Sequence, residues 1–296
     1  MFSARVVTDS VSPAGYRLTT FVLCYPRFIH AEVMTHRTPS RNASSSRAIP
    51  ISVMLDRIRE DPAMPVSWGR DQKGMRAGEE LDHETTLTAM AVWARAAREA
   101  VANAELLASL GVHKQIANRI VEPWAWMETI FTATEWSNFF ALRLHRDAQP
   151  EFRHLARLMR DAYDARTPAE VPVGEWHLPL VDRNDPADAG IAPADLPLVS
   201  VGRCARVSYL THEGKRDPAA DVALARRLRA SGHMSPFEHV ACPMTEDELW
   251  DTAAIHRTNA PAWMQERHHM CGNFRGWVQH RKTLPGEAVW RDPEAG

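Results

Sequence analysis

Between Met34 and Pro50 the chain reads MTHRTPSRNASSSRAIP, and almost every side chain in it is able to bind something charged. His36, Arg37, Arg41 and Arg47 supply basic groups, while Ser40, Asn42 and the run Ser44 to Ser46 supply hydroxyl and amide hydrogen bonds. Few apolar residues remain with which to build a core. Guanidinium groups bind phosphate oxygens two at a time, and successive loop N–H groups add partial positive charge, so the segment has the parts of an anion cradle. A solvated Ser-rich linker has the same composition and stays open beside that reading. Ser45 has arginines near it in sequence but no base, so nothing marks it as an activated nucleophile.

The flanking elements must place that segment. Tyr16 to Cys24 predicts a strand, and Pro26 opens a helix through Ile29, Val33 and Met34 that delivers His36 and Arg37 to its end. Thr38 to Ser46 is expected to be loop, and Pro50 discourages helix just before it. From Glu84 to Leu110, Leu87, Met90, Ala94, Ala97, Val101, Ala104 and Leu107 recur at spacings of three and four and Gly111 stops the pattern: a long packing helix. Lys114 to about Met127 reads as a second helix, carrying Arg119 and kinked or restarted at Pro123. Thr134 to Ala162 reads as a third, with Asn138 and Arg143 among Phe139, Phe140 and Leu142; surface or capping roles stay open for both.

Asp164 to Leu198 carries six prolines without a sustained period, which predicts an extended connection with one ordered island, GEWHLPLV, inside a single domain spanning 1–296. LVSVGRCARVSYL is strand-like at first, Ala219 to Ala230 is helical, and SGHMSPFEHVA is a Ser-Pro turn leading into a strand.

Composition limits the function classes. In 296 residues, 45% hydrophobic and 24% charged, the chain matches an ordinary soluble globular protein. With 35 basic against 37 acidic groups, no global field draws it to nucleic acid or membrane, so an anion site must be local. No run is long enough to span a bilayer and no secretory leader precedes the first strand, which predicts a cytoplasmic protein. Cys24, Cys204, Cys242 and Cys271 show no C-x-x-C spacing and read as buried thiols. His233, Glu238 and His239 flank Pro236, and His268, His269 and Cys271 are crowded, so neither set has the spacing of a zinc motif and no metal is expected. Dinucleotide-fold, P-loop and nucleophile-elbow motifs are absent. Pattern alone stops at a soluble α+β protein with a local anion site.

The run His36-Arg37-Thr38-Pro39-Ser40-Arg41-Asn42-Ala43-Ser44-Ser45-Ser46-Arg47 resembles the hallmark loop of the flavin-dependent thymidylate synthases, the thymidylate synthase complementing family. That loop runs Arg-His-Arg, then Ser, Asn, Ser and Arg, and Ser40, Asn42, Ser45 and Arg47 fall on its offsets. RCARVSY with GHMSPFEH, and NRIVEP followed by TEWSNFFALR, resemble further blocks of the family. Usually the ARVS and PFEH blocks precede the His-Arg loop; here they follow it. The resemblance therefore implies a circularly permuted, phage-type member in which 164–198 joins otherwise distant ends.

What the resemblance implies is an α+β fold with long helices against a sheet, forming a homotetramer with sites at subunit contacts. The implied reaction transfers the methylene of 5,10-methylenetetrahydrofolate to C5 of dUMP, giving dTMP, with FAD reduced by NADPH. By position, His36 and Arg37 match the pair against the flavin, and Asn138, His233 and Ser208 match other flavin-side residues, with Ser235 and Glu238 in support. Ser45, Arg47 and Arg119 match residues that grip the nucleotide. Arg143 matches the arginine at the pyrimidine, where a cation stabilises charge developing on the ring; Arg143 and Ser45 are the catalytic candidates.

Three positions depart from the pattern. Thr35 stands where an Arg is expected, Glu32 where a Gln is common, and Ala43 where a Glu or Gln contacts the nucleotide; Arg41 or Arg27 are available to replace the lost cation. Changed contacts around the base keep two alternatives: a pyrimidine deoxynucleotide hydroxymethylase or related base modifier, and a non-catalytic flavin- or nucleotide-binding protein. FRGWVQHRK, near the C-terminus, reads either as a folate or neighbouring-subunit contact or as a packing strand with a charged tip.

Overall fold

The computed structural model describes residues 1–209, 217–249 and 269–287. Its strands are β1 (Ser3–Val11), β2 (Arg17–Pro26), β3 (Ser40–Ala43), β4 (Trp126–Ala133), β5 (Ala169–Glu170), β6 (Ala241–Pro243) and β7 (Trp277–Gln279). Its α-helices are α1 (His30–Val33), α2 (Ile51–Glu60), α3 (His83–Ser109), α4 (Lys114–Ala117), α5 (Ser137–Arg143), α6 (Pro150–Asp164), α7 (Pro186–Ala189), α8 (Leu196–Tyr209) and α9 (Pro218–Ala230). Five strands form one sheet in the order β3-β4-β2-β1-β5, and β6 pairs with β7 in a second. The fold is α+β, as the family resemblance implies.

The larger sheet is covered on both faces, which explains why β2 is buried along nearly its whole length instead of alternating. On one face Val6, Phe21, Leu23 and Phe131 meet Phe152, Leu155 and Met159 of α6. On the other, Val22 and Ile130 meet Cys204 and Val207 of α8. Helix α8 is held against α9 by a close approach: a Cβ on Gly202 would lie 2.4 Å from the Asp221 carbonyl oxygen. The buried Arg203 next to it bonds Asp188 at 2.6 and 2.7 Å and Asp221 at 3.1 Å. Arg203 of the RCARVSY block is thus a structural cation whose charge is fully engaged.

Several expectations need correction. The expected loop Thr38 to Ser46 contains β3, whose backbone pairs with β4 from Ser40↔Thr132 to Ala43↔Thr129. The edge of a sheet offers unpaired backbone groups, and these outweigh the loop-like composition. LVSVGRCARVSY is helix α8 from its first residue, because its buried residues recur at helical spacing, Cys204 and Val207 toward the sheet and Val201 and Ala205 toward α9. The second helix ends in a 3-10 turn through Asn118–Trp124, and Trp126 opens strand β4. The third is two helices, α5 and α6, with Gln149 capping the second. Helix α3 matches expectation and is capped by the Asp82 side chain, but only Ala97, Ala100, Val101 and Ala104 are buried, whereas Leu87 and Met90 are exposed. No helix among the described residues is long and apolar enough to cross a membrane.

Candidate functional site

Strand alternation divides the hallmark segment between two environments. In the β3 register Ser40 lies opposite Thr132 and Asn42 opposite Ile130 on one face, while Arg41 and Ala43 lie opposite Phe131 and Thr129 on the other. Upstream, the 3-10 turn Arg27–Ile29 and α1 end at Met34, which places His36 over the aromatic cluster. The His36 ring meets Phe139 edge-on at 4.9 Å between centroids and Phe152 at 5.8 Å.

Arg143 closes this contact from the last turn of α5. Its Nε donates to His36 Nε2 at 2.6 Å, its Nη2 donates to the Thr35 hydroxyl at 3.0 Å, and its guanidinium lies 4.5 Å from the centre of the Phe152 ring. A guanidinium only donates, so His36 Nε2 accepts and the proton of the neutral ring sits on Nδ1. Burial, then the charges of Arg143 and Arg41, hold the His36 pKa below its ordinary value, consistent with that tautomer. Thr35, where the family pattern has an arginine, is therefore a hydroxyl partner of Arg143. Among the described residues no carboxylate lies within ion-pair distance of Arg143; the Glu32 charge acts on it from farther away.

Beyond His36 a cleft of about 390 Å³ opens between the hallmark segment and the C-terminal part of the chain. Arg37, Arg41, Arg281 and Lys282 line it with the single carboxylate of Glu238. Arg41 also donates to the His36 carbonyl, which ties the cleft to the His36–Arg143 pair. The far wall comes from 272–282, the segment left open between a ligand contact and a packing strand. The structure gives it both properties: Trp277 is fully buried, while Arg281 and Lys282 face the cleft.

Ser45 and Arg47 sit elsewhere. Asn118, fully buried, donates to the carbonyls of Ser46 at 2.7 Å and Ile49 at 3.0 Å, and Ser46 Oγ donates to Glu122 at 2.6 Å. These bonds fix the turn with Ser44 and Ser46 buried, Ser45 half-buried and Arg47 exposed. Ser45 Oγ has no base within hydrogen-bonding distance among the described residues, so nothing prepares the hydroxyl as a nucleophile. Glu122 also takes Arg119 at 3.0 Å and Arg27 at 3.1 Å, and these three residues with Phe28, His30 and Pro123 line a second cleft of about 370 Å³. Burial and the charges of Arg27 and Arg41 push His30 down to about 4, so that ring is neutral too.

The structure thus brings together His36, Arg37 and Arg143, and separately Arg119 with the turn that carries Ser45 and Arg47. Asn138 is exposed on the first turn of α5, the helix that ends in Arg143. His233 is exposed, with Ser231 as its hydrogen-bond partner at 2.9 Å. Ser208 lies in the last turn of α8, and its side chain is outside the described residues, as are those of His268 and His269. Sequence reading missed Glu122 and treated Arg281 and Lys282 as a tip. The available signal was the His-Arg pair repeated at His280-Arg281.

A third constellation crosses the sheet core. Ser10, His177, Thr20, Thr132 and His239 form a buried chain in which every adjacent pair is 2.8 Å apart. Register explains it, since Thr20 and Thr132 are direct partners on β2 and β4. Burial pushes His177 and His239 down to about 3, so both rings are neutral.

Residues 9–169 match the family model of the thymidylate synthase complementing proteins, and because the match spans more than half of the chain, the protein belongs to that family. A similar solved structure is the UMP/dUMP methylase PolB from Streptomyces cacaoi bound with 5-Br UMP, at 17% identity and a TM-score of 0.46, covering 55% of this chain and 88% of that one. Another is the flavin dependent thymidylate synthase ThyX from Helicobacter pylori complexed with FAD and dUMP, at 19% identity and a TM-score of 0.36, covering 49% of this chain and 67% of that one. No curated protein matches the sequence.

Proposed function

We propose that the protein is a flavin-dependent thymidylate synthase that makes dTMP from dUMP. The balanced reaction takes dUMP, 5,10-methylenetetrahydrofolate, NADPH and a proton to dTMP, tetrahydrofolate and NADP. The observation that carries it is Arg143, a guanidinium with no ion-pair partner among the described residues, clamped by a neutral His36 and by Thr35 at the end of α5. A cation held that way stabilises negative charge that develops on a pyrimidine ring as C5 attacks, and it needs no reorganisation to do so. Membership of the family over residues 9–169 supports the same reading.

The residues present fit FAD: four cations with only Glu238 and Glu287 against them leave a net positive cleft that suits a diphosphate, and the half-buried, neutral His36 offers a polar edge beside aromatic rings. When bound, FAD supplies the redox chemistry. His36 and Arg37 would hold it, with Asn138, His233 and Ser208 toward it; Ser45, Arg47 and Arg119 would hold dUMP. We further propose a homotetramer, for which the exposed Leu87 and Met90 of α3 supply apolar surface, and a single domain with a permuted block order. The family match ends at 169 while the RCARVSY and GHMSPFEH blocks begin at 203 and 232, which is what a permuted order leaves.

Mass spectrometry of the product from dUMP, FAD, NADPH and methylenetetrahydrofolate tests the reaction. A methyl group on the base is the expected result. Unchanged dUMP ends the proposal, and a hydroxymethylated pyrimidine replaces it with the base-modifier alternative.

A further inference from the structure

The far wall of the 390 Å³ cleft lies outside the 9–169 span that matches the family, and it is built rather than incidental. Its anchor is β7, where Trp277 Nε1 donates to the Tyr16 carbonyl at 3.0 Å. Gln279, 2% exposed, puts Nε2 within 2.9 Å of Asn273 Oδ1 and 3.2 Å of both Ser40 Oγ and the Glu238 carbonyl. Gly272 has φ +58°, and a Cβ there would lie 2.5 Å from Gln279 Oε1, so only glycine lets this turn close over the glutamine. Asn273 bonds the Thr38 carbonyl, which joins the wall directly to the hallmark segment.

On that frame Arg281 and Lys282 are aimed and held. Glu287 takes Arg281 Nε at 2.6 Å and Lys282 Nζ at 2.7 Å, and Glu238 takes Arg281 Nη1. Both cations keep further N–H donors. Across the cleft, Arg37 is exposed with no partner among the described residues, and Arg41 is half-buried with the Arg37 charge acting against its own. Four cations with two carboxylates leave the cleft net positive, and the repulsion between Arg37 and Arg41 is relieved when an anion enters between the walls.

We propose that Arg281 and Lys282 form one wall of a phosphate-binding subsite whose other wall is Arg37 and Arg41, with Glu238 as the internal carboxylate that an incoming phosphate displaces from Arg281. The owner of that phosphate, flavin nucleotide or pyrimidine nucleotide, rests on the proposed function; the subsite itself does not.

Titration of the full chain with inorganic pyrophosphate at low salt, read by tryptophan fluorescence, tests this. Arg281→Gln and Lys282→Gln should each raise Kd by roughly threefold to tenfold, and Glu238→Gln should lower it. Arg59→Gln, on α2, is the control that should change nothing. These opposite signs separate a ligand wall from a packing strand, which would move all three variants toward instability with no trend in Kd. Lys282→Gln leaves Arg281 paired, so it reports even where Arg281→Gln misfolds. Displacement of pyrophosphate by FAD assigns the subsite to the flavin diphosphate, and displacement by dUMP assigns it to the nucleotide. A wild-type chain that binds no pyrophosphate, or variants that bind it equally well, overturns the proposal, whereas pyrophosphate bound through these residues but displaced by neither nucleotide keeps the subsite and ends its link to the proposed function. A chain that binds through Arg281 and Lys282 yet makes no methylated product loses the proposed reaction and keeps the subsite.

Discussion

Two basic clefts flank the hallmark segment, and they are nearly the same size, about 390 and 370 Å³, so volume does not tell them apart. Charge does. In the first, Arg281 and Lys282 are held by Glu238 and Glu287, whereas Arg37 and Arg41 have no carboxylate within ion-pair distance among the described residues. In the second, Arg27 and Arg119 share Glu122, which is also held by Ser46, so each cation there already has a carboxylate. An anion entering the first cleft meets two guanidiniums, Arg37 and Arg41, without an ion-pair partner among the described residues; one entering the second meets only cations already paired with Glu122. Family resemblance assigns nucleotide-binding roles to arginines on both sides, and the structure ranks them by how much of their charge is left to give.

The sharpest test of that ranking is Arg143, beside the first cleft and without a carboxylate partner. Arg143→Ala should lower the rate of dTMP formation by a hundredfold or more, the size expected when a preorganised charge at the reacting ring is removed. Circular dichroism should stay unchanged, because its helix-end position is exposed on one side. A loss under threefold would mean that Arg143 only props His36.

Acid should act next most strongly, through the buried chain behind the first cleft. His177 and His239 have folded-state pKa values of about 3, below the ordinary 6.5, so the unfolded chain binds protons that the fold refuses. Their contribution is fully present above about pH 6.5 and is lost as pH falls toward 3, at up to about 1.4 kcal/mol per pH unit for each ring. Urea midpoints measured from pH 7.5 to 4.5 should fall accordingly, and a His177→Asn variant should show a shallower slope. Identical slopes would mean that the two rings are protonated in the fold.

How much of this was legible differs by residue. The α3 helix was readable because its period is long and Gly111 marks its end, and the strand β2 because its apolar and threonine run leads up to Pro26. The edge strand β3 was not: four residues of mixed polarity carry no period, and only pairing with β4 makes them a strand. Strand β4 itself, WMETIFTA, hid because both of its faces are covered, which erases alternation. His36, Arg37 and Arg143 were found from motif resemblance and are joined in space. Arg281 and Lys282 were left between a ligand contact and a charged tip, since the local His-Arg echo does not show that they face Arg37 and Arg41 across 240 residues of sequence.

Glu122→Gln converts the second cleft toward the first. It removes the carboxylate while keeping an acceptor for Ser46, so stability should fall by about 1.5–3 kcal/mol, the worth of hydrogen bonds to a charged group. Arg27 and Arg119 would then stand uncompensated, and the variant should bind pyrophosphate more tightly than the wild type at low salt.

Arg119→Gln gives the smallest expected effect and the one most able to break the comparison. The side chain is half exposed and already spends one donor on Glu122, so a nucleotide phosphate gains from it only what that pair gives up. The KM for dUMP should rise by about twofold to fivefold with kcat unchanged, the signature of binding that is equal in ground and transition states. A rise beyond tenfold would show that Glu122 yields Arg119 to the nucleotide on binding, and the two clefts would then have to be counted as one electrostatic site divided by the turn that carries Ser45 and Arg47.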